Sequence, residues 1–282
     1  MTTTAADASA GPAPVLIERE QIPLSTVIRR MLVSRTRFVQ LGFLLVILVG
    51  WEIAGRQMGT FFLAPPSTLW AASGEMIASG ELVSALLDSL SSLLVGYSIA
   101  IVVGVCVGFL MGWYRVVGKV LDPFVSAGYV IPTAGLVPVF IIWFGLGFNA
   151  RVVTVFLFCV FEILISTYTG VKNIDPLLIN AARAFGANRW ELFSRVASRA
   201  SLPYIFAGLR MGASRAVKGM IIAELLFAVT GLGGLIQNAA NYYRTDKVFV
   251  VVIVLAVIGV ALAALIQWLE SRATPWSTGP SH

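Results

Sequence analysis

The sequence predicts an all-α integral membrane protein with about six transmembrane helices and a two-helix loop on the cytoplasmic side. Hydrophobic residues make up 58% of the 282 residues, charged residues 12%, and the mean hydropathy is +0.87. Soluble domains average about 25% charged residues. Apolar stretches long enough to cross a hydrocarbon core of about 30 Å recur along the chain. A polar and basic segment, 180–203, interrupts them.

Six stretches meet the length criterion for a membrane span of roughly 20 residues. We predict spans near residues 38–56, 84–112, 121–144, 152–170, 205–229 and 248–269. The second and fifth are longer than the hydrocarbon core requires, so each should project beyond it. The domains are then a cytoplasmic tail with a basic amphipathic helix (1–37), a transmembrane domain (38–270) and a cytoplasmic C-terminal tail (271–282).

The N-terminal region has two parts. The first twenty residues contain no apolar stretch long enough for a signal peptide, so we predict a disordered tail. Residues 22–37 combine an apolar face with Arg29, Arg30, Arg35 and Arg37. That pattern favours a helix lying on an anionic cytoplasmic leaflet over one that docks a partner.

The distribution of positive charge predicts the orientation. With the N-terminus inside, thirteen Lys and Arg residues fall on the cytoplasmic side and four fall outside, namely Arg56, Arg151, Arg244 and Lys247. By the positive-inside rule, both termini and the loop at 171–204 face the cytoplasm. The formal charge of +6 therefore reflects membrane orientation rather than nucleic acid binding.

Short motifs mark the connections and the close contacts. Pro65-Pro66-Ser67 should begin a short outer helix over 68–78, and Gly231–Gly234 permits a sharp turn before a short helix or plug at 235–243. A ridge of small residues runs along the second span, and it predicts close approach of another helix, either in a dimer seam or inside one subunit. Its members are Ser92, Gly96, Gly104, Gly108 and Gly112.

The third predicted span is interrupted by Pro132 and Pro138, with Gly135 between them. Backbone carbonyls freed at membrane depth are tolerated only against protein or a wet cavity. We interpret this span as lining a pathway, with a purely structural kink as the equal alternative.

The polar segment has clear helix signals. Asp175 and Pro176 form an N-cap and first-turn pair, and Gly186 is a C-terminal stop. One face of this first helix holds Leu177, Leu178, Ala181, Ala182 and Phe185. A second helix starts at Asn188 with Glu191 as a capping box, presents Trp190, Phe193, Ala197 and Ala200 at helical spacing, and should end at Leu202-Pro203.

Charged residues inside the spans need a partner or water, because each costs at least about 2.5 to 3.5 kcal/mol in the hydrocarbon core. Helical rise places Glu162 and Lys218 at similar depths, so we predict an ion pair, with a structural tie favoured over solute contact. Arg210 and Arg215 are interpreted as snorkelling side chains. Glu224 should face the cavity mouth or cap a neighbouring helix.

The motifs together resemble the permease subunits of binding-protein-dependent ABC importers, in their nitrate, sulfonate and taurine branch. Residues 180–186 resemble the family's coupling signature of Glu-Ala-Ala, three residues and Gly, with Leu202-Pro203 following. Resemblance extends over roughly 40–270 through eight further matches in the same order. These are Leu63-Ala64-Pro65-Pro66-Ser67, Leu121-Asp122-Pro123, Ile131-Pro132, Val137-Pro138, Trp143-Phe144-Gly145-Leu146-Gly147, Gly170-Val171, Ala223-Glu224 and Gly231-Leu232-Gly233.

The resemblance implies a type I ABC importer permease fold in a bacterial plasma (inner) membrane. It also implies a second permease subunit, expected to be identical, two ATPase subunits and an extracytoplasmic solute-binding protein. Residues expected to contact the ATPase are Asn180, Ala181, Ala182, Phe185, Gly186, Ala187, Trp190 and Pro203. Two residues depart from the family pattern: Asn180 stands where Glu is usual, which removes a charge, and Glu162 stands where an uncharged residue is expected.

No catalytic, metal-binding or cofactor-binding residue is assigned to this chain, and ATP and Mg²⁺ are expected on partner subunits. The nucleotide-binding pattern Gly-x-x-x-x-Gly-Lys-Ser/Thr is missing; Gly118-Lys119-Val120 is the nearest sequence. Cys106 and Cys159 lie in apolar runs and are interpreted as small hydrophobic residues.

The sequence thus predicts ATP-driven uptake of a small, anionic solute by alternating access. Pathway residues are expected to include Pro132, Pro138, Glu162, Arg215, Lys218 and Glu224. If the solute is an oxyanion, Arg215 and Lys218 should contact it; the alternative, slightly favoured, is a featureless cavity with selection by the binding protein. Rival functions are an ion-coupled secondary transporter, which predicts inverted repeats that we do not find, and an inactive membrane scaffold.

Overall fold

The computed structural model describes the backbone of residues 24–227 and 230–275 and the side chains of residues 38–226 and 230–275. All regular secondary structure in these ranges is helical, and a π-helical turn, Leu192–Ala197, joins α8 to α9. The helices are α1 (Leu24–Met58), α2 (Pro66–Ala78), α3 (Glu81–Trp113), α4 (Arg115–Val130), α5 (Thr133–Phe144), α6 (Phe148–Lys172), α7 (Pro176–Ala184), α8 (Arg189–Glu191), α9 (Ser198–Phe227), α10 (Gly231–Asn241) and α11 (Thr245–Ala273).

The chain divides into two units, one up to Trp51 and one from Glu52 onward. Helix α1 is continuous from Leu24, so residues 24–37 of the predicted basic segment belong to the same helix as the first span. The predicted tail at 1–20 lies outside the described residues, as do 276–282 of the predicted C-terminal tail.

Four helical stretches in the described residues are long and apolar enough to span a membrane alone: Phe38–Met58, α3, α6 and α11. Two bent helix pairs bring the number to six if each is counted as one span: α4 with α5, and Arg189–Leu226 with α10. The predicted number of about six spans is therefore reached only if each of these two bent pairs is counted as one broken span. The short outer helix is confirmed as α2, with Pro65 as its N-cap residue, and α10 begins at Gly231, earlier than the predicted 235.

The third predicted span is broken by 94° between α4 and α5. Pro132 lacks a backbone N–H and forces the preceding residue out of the helical region, which ends α4. Ile131 accordingly has φ −60° and ψ 127°. Pro138 lies inside α5, where the helix continues through it.

Helix α6 is the centre of the second unit and packs against both α3 and α9, which also contact each other. Its buried side chains include Val155, Cys159 and Ile163, and Leu93 and Met220 join the same core from α3 and α9. The core therefore lies between α3, α6 and α9, and Ile266 of α11 is buried in it as well.

Glycines permit this close packing. A Cβ added at Gly108 would lie 2.5 Å from the carbonyl oxygen of Leu164, and one at Gly112 would lie 2.5 Å from the Cβ of Val171. The predicted small-residue ridge therefore contacts α6 inside the subunit rather than a dimer partner. Gly212 and Gly219 have the same role on the α9 side, against Ile163 and Phe158.

Helix α2 is held to the start of α11 by charge. Glu75 accepts one hydrogen bond from Arg244 at 3.2 Å and pairs with Lys247 at 3.1 Å. The Lys247 ammonium and the Arg244 guanidinium hold the pKa of the Glu75 carboxyl below its ordinary value. These contacts hold the short helix α2 to the N-terminal end of α11.

Replacing Gly108 by Ala should destabilise the protein by about 1–3 kcal/mol, because the new methyl group meets backbone that cannot yield. Gly259→Ala on α11 is the matched control, since a Cβ there meets nothing within 4 Å. Thermal unfolding of the two variants in detergent measures the difference. Equal midpoints would show that the ridge is not tightly packed.

Candidate functional site

The two-helix loop, residues 171–204, forms much as its sequence predicts. The Asp175 side chain accepts the N–H of Leu177 at 2.8 Å, and Pro176 opens α7. Gly186 has φ +83°, a conformation that glycine adopts at little cost, and the N–H of Ala187 donates to the carbonyl of Ala182. The predicted start and stop of the first helix are confirmed.

The second helix begins as predicted but does not end where predicted. Asn188 and Glu191 form the full capping box, at 2.9 Å and 3.0 Å. The predicted end at Pro203 is wrong, because the helix runs through the π-helical turn into α9, with Pro203 inside it. Membrane helices tolerate such a proline when the rest of the backbone is supported by neighbours. The loop is therefore continuous with the fifth span.

The loop exposes an apolar face. Phe185 is 92% exposed, Leu177 73% and Trp190 71%, and Asn180 and Ala181 are exposed with them. Ala182 and Ala187 are half-buried. Large apolar side chains grouped outside a spanning segment are typical of a protein interaction surface. We call this group the apolar face of the loop.

Phe193 anchors the loop to α3. Its ring contacts Phe109 and Trp113 edge-on, at centroid distances of 4.8 Å and 5.5 Å, and stacks on Trp190 at 5.7 Å. Phe109, Val171 and the loop residue Ala197 are buried in the same cluster. Such aromatic contacts add about 0.5–1.5 kcal/mol each beyond the buried area. The loop is thus firmly joined to the ends of α3 and α6.

Glu162 is buried and pairs with Arg215, not with Lys218 as predicted. The distance from Arg215 Nη2 to Glu162 Oε1 is 3.0 Å, and the Tyr129 hydroxyl donates to the same oxygen at 3.4 Å. Depth along a helix was the basis of the prediction, and Arg215 lies only about 4.5 Å along α9 from Lys218. The direction in which each side chain projects from α9 decides between Lys218 and Arg215, and it is Arg215 that reaches Glu162. The snorkelling interpretation of Arg215 is also wrong.

Arg210 pairs with Glu270 on α11. Pro132 and Pro138 are exposed beside the break between α4 and α5. Lys218 is exposed on α9 and has no ion-pair partner among the described residues. The structure thus brings Glu162 and Arg215 together and leaves Lys218 apart from their contact.

Glu224 caps α10, which matches one of its two interpretations. Its Oε2 accepts the backbone N–H of Gly233 at 2.9 Å and the Ser89 hydroxyl at 2.8 Å, and Ser89 in turn accepts the N–H of Leu232. The side chain is 1% exposed. A Cβ on Gly231 or Gly233 would meet Glu224 atoms at 2.5 Å. Both glycines are therefore required for the carboxylate to approach α10.

The Glu224 carboxylate also lies next to the buried side chain of Arg151, which the charge distribution predicted only as a positive residue on the outer side. Arg151 donates two hydrogen bonds to Asp88, at 2.8 Å and 2.9 Å, and its Nη1 lies 3.6 Å from Glu224 Oε1. The arginine is 7% exposed. The sequence does contain a signal for this ion pair, because Asp88 is an acidic residue within a predicted apolar span and such a residue needs a partner.

A cleft of about 350 Å³ opens beside this cluster. Glu81, Ser84, Asp88, Thr230 and Asn238 contribute polar atoms to its wall, between the starts of α3 and α10.

Replacing Arg151 by Met should destabilise the protein by about 3 kcal/mol, because a buried carboxylate is left without its cation. Arg56→Met is the control: its pair with Glu52 is 70% exposed on the arginine side and should contribute less than about 1 kcal/mol. Unfolding curves in detergent report both values. An equal loss of unfolding free energy in the two variants would contradict a structural role for Arg151.

The chain matches known membrane transport proteins over most of its length. Residues 99–275 match the family model described as a binding-protein-dependent transport system inner membrane component. A probable ABC transporter permease protein of Brucella melitensis is 32% identical over 227 residues, which cover 80% of this chain and 92% of that protein. The taurine transport system permease protein TauC of Escherichia coli is 31% identical over 250 residues, covering 86% and 91%.

A solved structure shares the fold. It is described as inward-facing conformations of the MetNI methionine ABC transporter, and its matching chain superposes with a TM-score of 0.56 at 18% identity. The match covers 68% of this chain and 96% of that one. The helical architecture, the loop with its capped helices and the family match lead to one conclusion: this chain belongs to the family of inner-membrane permease components of binding-protein-dependent ABC transporters.

Proposed function

We propose that this permease carries a small anionic solute, such as a sulfonate, inward across the plasma membrane by alternating access. In this proposal two identical permease subunits form the pathway, two ATPase subunits bind on the cytoplasmic side, and a binding protein delivers solute outside. Both termini and the two-helix loop face the cytoplasm, supported by the excess of Lys and Arg on that side.

The observation that carries the proposal is the exposed apolar face of the loop. Burying Phe185, Leu177 and Trp190 against a partner would remove large apolar side chains from water, at about 25 cal/mol per Å² of apolar surface. The rival function, an ion-coupled transporter, assigns no role to this face. A partner ATPase would have a use for it, because the permease family to which the chain belongs takes its energy from ATP.

The route from the loop into the membrane is continuous helix. From Arg189 onward the chain is helical through the π-helical turn into α9, and π-helical turns are often found at functional sites. Movement of the second helix of the loop, which carries Trp190, would therefore shift α9, which carries Arg215 and Lys218. The Phe193 anchor would shift the end of α3 with it.

The anionic character of the solute is supported by two arguments. Relatives of the chain are named for taurine and aliphatic sulfonate transport, and α9 exposes the cations Arg215 and Lys218. Other relatives are named for formylaminopyrimidine and riboflavin transport, so solute choice differs among similar chains. A direct uptake assay must therefore include solutes of more than one class.

Replacing Phe185 by Ser should weaken binding of the ATPase subunits about fivefold or more, since truncating an anchoring side chain near an interface centre costs over about 1 kcal/mol. Trp70→Ser is the matched control, because Trp70 on α2 is 86% exposed and lies outside the loop. Co-purification of the ATPase with each variant measures the effect. Unchanged recovery with Phe185→Ser would contradict the assignment of the coupling surface.

Uptake into proteoliposomes tests the function as a whole. The permease, reconstituted with its ATPase and its binding protein, should accumulate radiolabelled taurine or ethanesulfonate only when ATP is supplied, and should not accumulate riboflavin. Accumulation without the ATPase would disprove the ABC mechanism for this chain. Accumulation of riboflavin but neither sulfonate would leave the mechanism standing and disprove the anionic solute.

A further inference from the structure

Helix α9 presents two different faces. One face, with Gly212, Ala216 and Gly219, packs on α6. The other exposes Met211, Ser214, Arg215 and Lys218, which recur at intervals of three and four residues and so lie along one strip. We call this the cationic strip of α9.

The strip carries more positive than negative charge. Arg215 shares its charge with Glu162 at 3.0 Å, and Tyr129 donates to the same carboxylate oxygen. Among the side chains that the structure describes, Lys218 has no carboxylate within ion-pair distance. One unit of positive charge is therefore left over at this position.

The unpaired positive charge of Lys218 lies too far from the lipid headgroups to be neutralised by them easily. Lys218 is nine residues before Phe227, where α9 ends, which is about 13 Å along the helix. A charge facing lipid near the bilayer centre costs at least about 2.5–3.5 kcal/mol, so such residues face water or a partner. The same strip on a second copy of the chain would add an equal surplus. The strip therefore requires water and a negative charge from outside the protein.

We propose that the cationic strip of α9 is an anion-binding site in the translocation pathway, with Lys218 and Arg215 as its cations and Glu162 and Tyr129 holding Arg215 in place. The site takes a small monoanionic group, such as a sulfonate or carboxylate, because the strip has a surplus of one charge. The proposal rests on the proposed function, since it assigns the solute's charged group to particular side chains.

Ser214 offers a way to measure the potential at this site without knowing the solute. It is exposed and lies beside Arg215 and one turn before Lys218. A cysteine there, in a Cys106→Ser background that retains buried Cys159, leaves both cations in place. The complete transporter in proteoliposomes is treated with a sulfonate-bearing and a trimethylammonium-bearing methanethiosulfonate reagent, and each rate is divided by that for 2-mercaptoethanol.

We expect Ser214→Cys to react with both reagents and to favour the anionic one. Adding Lys218→Gln or Arg215→Gln should lower the anionic-to-cationic rate ratio about fivefold, the effect of one unit charge at about 8 Å in water on reagents of opposite sign. Lys119→Gln should leave the ratio unchanged, because Lys119 on α4 is exposed and forms no ion pair with any residue that the structure describes. Salt at 1 M should bring the ratio toward one, because the screening length is then about 3 Å.

Two results would overturn the inference. Failure of both reagents to react would place the strip against lipid or a sealed interface, and a ratio unaffected by Lys218→Gln would show that the surplus charge is neutralised elsewhere. Stimulation of ATP hydrolysis by the loaded binding protein is measured on the same vesicles. If ATP hydrolysis is still stimulated but either of these two results is obtained, the anion site is wrong and the proposed function stands. If the unmodified transporter shows no stimulation, the proposed function itself fails.

Discussion

Close packing of α6 between α3 and α9 is the constraint on which the other features of this permease depend. Lipid gives little hydrophobic drive for helices to associate, so contact surfaces must fit closely enough for dispersion forces to hold them. Glycines at 108 and 112 on α3 and at 212 and 219 on α9 permit that approach. The positions of Asp88, Glu162 and Arg215 follow from these contacts, because α3, α6 and α9 carry these three residues respectively.

Helix α9 runs from the two-helix loop to α10. Near its C-terminal end Glu224 caps α10 and lies beside Arg151, which ties α9 to α6 and through Asp88 to α3. At its N-terminal end it continues into the two-helix loop, where Phe193 packs on α3. A displacement of the loop would therefore be transmitted along a helix supported at both ends. The break between α4 and α5 lies in the same unit, and Tyr129 near that break touches Glu162.

The loop and the connections were predictable because their signals are local. Asp175, Gly186 and the Asn188–Glu191 box each act on backbone groups within a few residues, and Pro132 acts on the residue before it. Tertiary contacts are not needed for these effects. The predicted end at Pro203 was wrong for the complementary reason: a proline removes one helical hydrogen bond, and whether the helix survives depends on support from neighbouring elements.

The sequence by itself determined the membrane class, the approximate spans, the capped loop and the family signature, because composition and short-range spacing encode them. Tertiary structure decided which partner each buried group has. Helical rise put Glu162 and Lys218 at one depth, but the rotation of α9 turned Arg215 toward the carboxylate. Rotation is set by side-chain packing with a second helix, and no spacing within one segment specifies it. The same holds for Arg151, whose contacts with Asp88 and Glu224 join residues 63 and 73 positions apart in the chain.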